Sequence, residues 1–176
     1  MTTQNSVRMP VIFVGHGSPM NAIQDNGYTE MLSQWAGKFP EPRAILMVSA
    51  HWQTPGHTFV EGQQHPKTIH DFYNFPEELY QIQYPAPGAP DVAQEVIRAV
   101  HARAVTVNNE WGFDHGTWAV LKYLYPKANI PVLQLSVDYD APGEFHYQIG
   151  QELRSLRDQG VLIVGSGNIV HNLRAA

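Results

Sequence analysis

Three short apolar runs, each followed closely by a histidine, constrain the fold of this chain more than any other feature. The runs and the histidines after them are VIFV at 11–14 with His16, AILMVS at 44–49 with His51, and VLIV at 161–164 with His171. Apolar runs of this length, bounded by Gly, Ser or Pro, are typical of strands buried in a parallel sheet. The pattern therefore predicts an α/β fold in which several strands end near a histidine.

The histidines after these strands form a candidate metal site. In open α/β sheets, ligands bind beyond the carboxyl ends of the strands, so His16, His51 and His171 are expected to meet at one edge. Neutral imidazole is a good ligand for iron, zinc, copper and nickel. The chain has no cysteine, so a metal would be held by histidine, carboxylate or water.

Helical periodicity fills the intervals between the predicted strands. The predicted helices are Tyr28–Phe39, Pro90–Ala102, a helix ending at Tyr125, and Glu144–Gln159, and the further predicted strands are Thr58–Val60 and Val132–Val137. Alternation of strands and helices predicts a three-layer α/β/α domain with a mostly parallel central sheet and the metal site at the strand carboxyl ends.

Composition excludes several classes of function. The net charge is −5 and the lysines and arginines are not clustered, which argues against a nucleic-acid partner. No apolar run approaches the roughly 20 residues of a membrane span. The N-terminal residues lack the apolar core of a signal peptide, so we predict a cytoplasmic protein.

The end of the sequence predicts an uncovered sheet face. We interpret residues 1–176 as one catalytic domain, in which only residues 165–176 follow the last predicted strand. That is too short for a covering helix of ordinary length, although a parallel sheet needs both faces covered. We therefore expect either a partner, such as a second copy in a homo-oligomer, or a domain truncated at its C-terminus.

Seven motifs occur in one order along nearly the whole chain. They are GHGSP at 15–19, SAHW at 49–52, TIHDFYNFP at 68–76, YPAPG at 84–88, WGFDHGTW at 111–118, LQLSVD at 133–138 and GSGNIVHN at 165–172. Together they resemble the DOPA 4,5-dioxygenase type of the class III extradiol ring-cleaving dioxygenases, a superfamily that includes the protocatechuate 4,5-dioxygenase catalytic subunit. Each motif alone would be a weak signal, but their shared order is specific.

The resemblance implies a function and a set of roles. It implies 4,5-cleavage of a catechol such as DOPA with O2 at a mononuclear non-haem metal, with Fe(II) expected and Zn(II) a possible occupant. His16, His51 and His171 match metal-ligand positions, and His115 matches a histidine that acts as acid and base beside the metal. Members of the family are longer and carry a further histidine in a C-terminal segment.

Four further residues are candidates for substrate binding, and they are His70, Asp71, Trp52 and Ser18. Asp114 or Glu110 is expected to orient an imidazole from outside the ligand set. The other histidines that lack a motif context, which are His57, His65, His101 and His146, are expected to be exposed.

Two other functions remain open from the residues. A zinc-dependent hydrolase could use the same imidazoles to generate a zinc hydroxide. A non-catalytic module on the same fold could hold a ligand or a peptide. Phosphate binding by the GHGS and GSGN loops is disfavoured, because neither loop has the lysine of a P-loop or the spacing of a dinucleotide fingerprint.

Overall fold

The computed structural model describes residues 8–168, which contain eight strands and five α-helices. The strands are β1 Val11–Gly15, β2 Ala44–Ser49, β3 Gln53–Thr54, β4 Thr58–Val60, β5 Val105–Val107, β6 Val132–Gln134, β7 Val137–Asp138 and β8 Val161–Gly167. The helices are α1 Gly27–Trp35, α2 Glu77–Tyr80, α3 Pro90–Ala99, α4 His115–Leu124 and α5 Gly143–Glu152, with 3-10 helices at Pro19–Ala22 and Leu153–Gln159.

The central sheet has four parallel strands in the order β1-β8-β2-β6. The register pairs Val11 with Ile163 and Ala44 with Val161, so the carboxyl ends of β1, β8 and β2 lie at one edge. Two short parallel pairs, β3 with β7 and β4 with β5, lie outside this sheet. The predicted mostly parallel sheet is confirmed.

Helices pack on both faces of the sheet. Ile45 and Met47 of β2 face a core shared with α1 and α4, whereas Ala44 and Leu46 face a second core shared with α3 and α5. Because β2 is buried on both faces, its sequence is a continuous apolar run and not an alternating one. The three-layer prediction is confirmed. Among residues 8–168, the helices are too short or too polar to cross a membrane.

Three predicted helices are shorter than expected, and one of them, α3, ends at Ala99 and not at Ala102. Helix α1 ends at Trp35 and not at Phe39, because Gly37 takes a left-handed backbone conformation with φ of 75°. The helix predicted over Glu144–Gln159 is α-helical only to Glu152 and continues as a 3-10 helix, a common form for the last turns of a helix.

The predicted strand Val132–Val137 is interrupted, because the chain changes partners within it. The Leu135 amide still donates to the Met47 carbonyl of β2, but the Ser136 amide donates to Phe59 of β4, each at 2.8 Å. Val137 then pairs with Gln53 of β3. The interruption thus joins the central sheet to the two small strand pairs.

One face of β1 is uncovered in the described part of the chain. Val11 and Phe13, on the α5 side of this edge strand, are 54% and 63% exposed. A groove of 310 Å³ runs between this face and α5, lined by Val11, Ile163 and Ile149 among others. Within residues 8–168, this strip of β1 therefore lacks a covering element.

Candidate metal centre

Three histidines meet at the carboxyl edge of the central sheet. His16 follows β1 directly, His51 lies two residues beyond β2, and His115 is the first residue of α4. One ring nitrogen from each lies within 4.8 Å of the others. The His16 and His115 side chains are almost fully buried, and the His51 side chain is 11% exposed. The prediction that histidines after the strands meet is confirmed for His16 and His51.

A serine in β8 determines which nitrogen of His16 carries the proton. The Ser166 hydroxyl donates its single proton to the Gly116 carbonyl oxygen at 2.5 Å. Its oxygen can therefore only accept from His16 Nδ1, which lies 2.9 Å away. His16 is thus held with the proton on Nδ1 and a lone pair on Nε2, the form in which imidazole binds a metal.

His51 presents the same nitrogen to His16. Its Nδ1 lies 3.3 Å from the Asp71 carboxylate, which favours a proton there, and its Nε2 lies 3.0 Å from Nε2 of His16. Two lone pairs at that separation repel unless a cation lies between them. Metal–nitrogen bonds of about 2.0–2.1 Å at right angles place two ligand nitrogens about 3 Å apart. The pair therefore fits a metal ion.

His115 is held by the same carboxylate. Its backbone amide donates a hydrogen bond to Asp71 Oδ1 at 2.8 Å. Its Nδ1 lies 2.8 Å from Asp71 Oδ2. Burial alone would raise the pKa of Asp71, but the hydrogen bonds that His115 donates and its electrostatic interaction with the carboxylate outweigh burial and lower that pKa. Asp71 is therefore a carboxylate, and His115 keeps its proton on Nδ1 and its lone pair on Nε2.

A buried carboxylate lies beneath the cluster but does not orient an imidazole. Asp114 accepts hydrogen bonds from Ser49 Oγ at 2.7 Å, Gln134 Nε2 at 2.9 Å and Trp111 Nε1 at 3.2 Å. Burial and the nearby Asp71 charge raise the pKa of Asp114, and these three hydrogen bonds oppose the rise. The expectation that Asp114 orients an imidazole is wrong, because its oxygens serve the β2–α4–β6 junction.

Aromatic side chains form one wall of the site. The Phe72 ring packs edge-on against His115 with centroids 5.6 Å apart, and it also contacts Tyr80 and Trp118. Trp52 is buried and its ring stacks on Trp111 at 5.9 Å. Phe72, on the loop of residues 63–76, thus places an apolar ring beside His115, which suits a flat aromatic ligand.

Of the other predicted site residues, His70 packs against the aromatic wall, with its ring centroid 5.9 Å from that of Phe72. Ser18 lies at the start of the first 3-10 helix. His70 Nε2 lies 3.1 Å from the Ile82 carbonyl, and Ser18 Oγ accepts from the Met20 amide at 3.3 Å, capping the first 3-10 helix. His171 lies outside the described residues. Among the remaining histidines, His57, His65 and His101 are exposed as expected. His146 is half-buried against the Asp138 carbonyl, so that prediction is wrong.

Sequence reasoning missed the buried polar residues around the histidines, of which Ser166 holds the His16 ring and Ser49 and Gln134 bind Asp114. Ser166 and Ser49 lie in buried strands and Gln134 is fully buried at the end of β6. A signal was present, since a polar residue inside a buried apolar run needs a hydrogen-bond partner. Which partner it takes depends on strand register, which the sequence pattern did not supply.

Comparison with known proteins identifies the family. The family described as the catalytic LigB subunit of aromatic ring-opening dioxygenase matches residues 9–176. The chain is 50% identical, over 97% of its length, to the 4,5-DOPA dioxygenase extradiol of Escherichia coli K12, and 42% identical, over 90%, to that of Beta vulgaris. A crystal structure of an uncharacterized E. coli K12 protein matches 95% of the chain, with a TM-score of 0.79 and 44% identity.

The chain spans about three fifths of the length of these relatives, with 63% of the E. coli dioxygenase, 61% of the Beta vulgaris dioxygenase and 63% of the solved chain covered. Within that span, the parallel sheet and the histidine cluster occur together with the family match. The cluster and the family together indicate a metal site. The chain belongs to the family of the catalytic LigB subunit of aromatic ring-opening dioxygenases.

Proposed function

We propose that this chain carries the catalytic site of an extradiol dioxygenase that opens the ring of a catechol such as DOPA with O2. The observation that carries the proposal is the cluster of three histidines, with lone pairs on Nε2, in a chain half identical to a 4,5-DOPA dioxygenase. In this reaction the ring C–C bond beside the diol breaks and both oxygen atoms enter the product.

Fe(II) is the proposed metal, with Zn(II) as a possible substitute at the same nitrogens. His16 and His51 would hold it through Nε2, and His171 is the proposed third ligand. When bound, the metal would supply a positive charge that favours the catecholate and a site for dioxygen. Ser166 and Asp71 keep the proton on the other nitrogen of each imidazole, so that the ligand form persists.

His115 is the proposed acid and base. Its Nδ1 proton is committed to Asp71, so Nε2 can accept a proton from a catechol hydroxyl and later return it. The imidazolium formed in this way would be stabilised by the adjacent carboxylate. Phe72 covers one edge of the ring and limits access of water to it.

The substrate ring is proposed to bind beside Phe72 and Trp52, with Ser18, His70 and Asp71 as further candidates for contact. The Trp52 ring is fixed by its stack on Trp111, so it offers a rigid edge beyond the end of β2.

A homo-oligomer is proposed from the uncovered face of β1, and a cytoplasmic location stays a prediction from the sequence.

Oxygen uptake tests the function. Protein loaded with Fe(II) under anaerobic conditions is expected to consume O2 with DOPA and catechol, with a yellow ring-opened product. Hydroquinone, whose hydroxyls are not adjacent, should give no uptake. His115→Gln should lower kcat about 10²–10⁴-fold, the usual contribution of a general acid or base.

His16→Ala should abolish uptake through loss of metal, whereas His57→Ala, in an exposed side chain outside the cluster, should leave it unchanged. Bound iron without uptake by the wild type would contradict the proposal and favour a binding module. Uptake that survives in His16→Ala would place the chemistry elsewhere.

A further inference from the structure

The Asp71 carboxylate lies between two histidines of the cluster and contacts both. We propose that Asp71 is a positioning residue that holds His115 and His51 in the same tautomer, with the proton on Nδ1 and the lone pair on Nε2. The inference deepens the proposed function and rests on it for its consequence in catalysis. Its structural content, the tautomer of two imidazoles, can be tested without turnover.

The backbone of His115 fixes the orientation of the carboxylate. An amide N–H can only donate, and that of His115 donates to Asp71 Oδ1 at 2.8 Å. With Oδ1 occupied in this way, the carboxylate plane is fixed and Oδ2 is directed at the ring. Oδ2 then lies 2.8 Å from His115 Nδ1 and 3.3 Å from His51 Nδ1.

One acceptor oxygen shared by two rings couples them. The His51 and His115 rings lie with centroids 3.9 Å apart, so they are in contact as well as bound to one oxygen. A carboxylate accepts only, hence both Nδ1 atoms are favoured as donors. Both Nε2 atoms are consequently left as bases, one for the metal and one for the proposed proton transfer.

The loop that carries Asp71 is itself anchored. Ile69 donates its amide to the Phe113 carbonyl at 2.8 Å, and its own carbonyl accepts from Trp118 Nε1 at 2.9 Å. His70 is held to the Ile82 carbonyl. Residue 71 is therefore placed by backbone pairing with the segment that leads into α4, as a positioning role requires.

Replacement of Asp71 by asparagine changes the tautomer of the histidines while it keeps the shape of the side chain at position 71. In Asp71→Asn the amide oxygen must still face the His115 backbone N–H, so the NH2 group faces the two Nδ1 atoms. A neutral imidazole beside an NH2 donor has to accept at Nδ1, and its proton moves to Nε2. The variant should therefore reverse the tautomer while retaining the packing.

Long-range 1H–15N NMR of metal-free, 15N-histidine-labelled protein, at a pH where the imidazoles are neutral, reads the tautomer directly. We expect Nδ1–H for His115 in the wild type and in the matched surface control Asp25→Asn, and Nε2–H in Asp71→Asn. The His115 signal is assigned by its absence from His115→Gln. An unchanged His115 pattern in Asp71→Asn, or Nε2–H in the wild type, would overturn the proposal.

A second variant guards against misfolding. Asp71→Ala removes the acceptor without adding a donor, so we expect a mixture of the two tautomers. A single Nδ1–H form would contradict the positioning role.

In Fe(II)-loaded protein, Asp71→Asn is expected to lower kcat about 10–100-fold with little change in KM, a typical effect of removing a partner of a metal-site histidine. If the tautomer changes but the wild type consumes no oxygen, the positioning role holds and the proposed function fails.

Discussion

Ser166 is the residue on which the orientation of His16 depends. Ser166→Ala removes the acceptor at Nδ1 of the buried His16 and one of the donors to the Gly116 carbonyl. We expect metal affinity to fall about 10–100-fold. The free energy of unfolding should fall by about 1–3 kcal/mol, the cost of an unsatisfied buried group.

Metal titration by calorimetry and urea unfolding measure the two effects. Ser33→Ala, at an exposed position of α1, is the matched control and should change neither quantity. Unchanged metal affinity in Ser166→Ala would show that the tautomer of His16 does not depend on this serine.

At this scale the sequence predicted the histidines better than their partners. His16 and His51 could be placed together because both follow parallel strands, whose ends share one edge. Asp71 arrives from a loop without periodicity, and its place follows from the backbone pairing of Ile69 with Phe113, which no local pattern records. For the same reason Asp114 was given the role that Asp71 has in the structure.

The first turn of α4 is the element that packs most closely against the site. A Cβ at Gly116 would overlap Ser49 Oγ and would lie 3.1 Å from His51 Cδ2 and 3.2 Å from Asp114 Oδ1. Gly116→Ala should therefore lower the free energy of unfolding by about 1–3 kcal/mol, as overpacking does.

Gly150→Ala in α5 is the matched control, because a Cβ there meets nothing within 4 Å. It should stabilise the protein by about 0.5–1 kcal/mol. Thermal unfolding of both variants measures the difference between their free energies of unfolding. Equal effects would show that the close approach of Gly116 to Ser49 does not limit stability.

Asp138 at the end of β7 makes stability depend on pH. Burial would raise the pKa of Asp138, but the amides of Asp140 and Gly56 and the Arg103 guanidinium outweigh it and lower that pKa. An acid with a pKa below its unfolded value of about 3.9 stabilises the fold above that pH. The contribution is lost as the pH falls through the lower, folded pKa.

Asp138→Asn should therefore be less stable than the wild type at neutral pH and should lose stability less steeply below about pH 4. Urea midpoints across the acidic range measure this difference. Asp140→Asn, in an exposed side chain, is the control. Parallel pH profiles for wild type and Asp138→Asn would contradict the assignment.

Element boundaries show where sequence periodicity was sufficient. Strands β2 and β4 were predicted to the residue, because each is a short apolar run closed by polar or turn residues. The Val132–Val137 strand was predicted as continuous although its partners change within it at Ser136. Apolar periodicity reports burial, and it does not report which neighbour a buried strand pairs with.

The whole molecule has an apolar strip on β1 that a second copy could cover. Phe13 is 63% exposed beside the open edge of the sheet. Phe13→Ser should weaken self-association about 10–100-fold, since burying one large apolar side chain contributes about 1.5–3 kcal/mol.

Sedimentation velocity over a concentration series measures this association. Tyr147→Ser removes an equally exposed aromatic ring from α5 and should have no such effect. A wild type that stays monomeric throughout would contradict a homo-oligomer through this face.

The histidine cluster at the sheet edge is the candidate metal centre, and anomalous diffraction tests this assignment most directly. Crystals soaked anaerobically in Fe(II) should show one peak at the iron edge, about 2.0–2.3 Å from Nε2 of both His16 and His51. The peak should be absent from His16→Ala crystals. No peak at these nitrogens in the wild type, or one only at exposed histidines such as His57, would contradict the account.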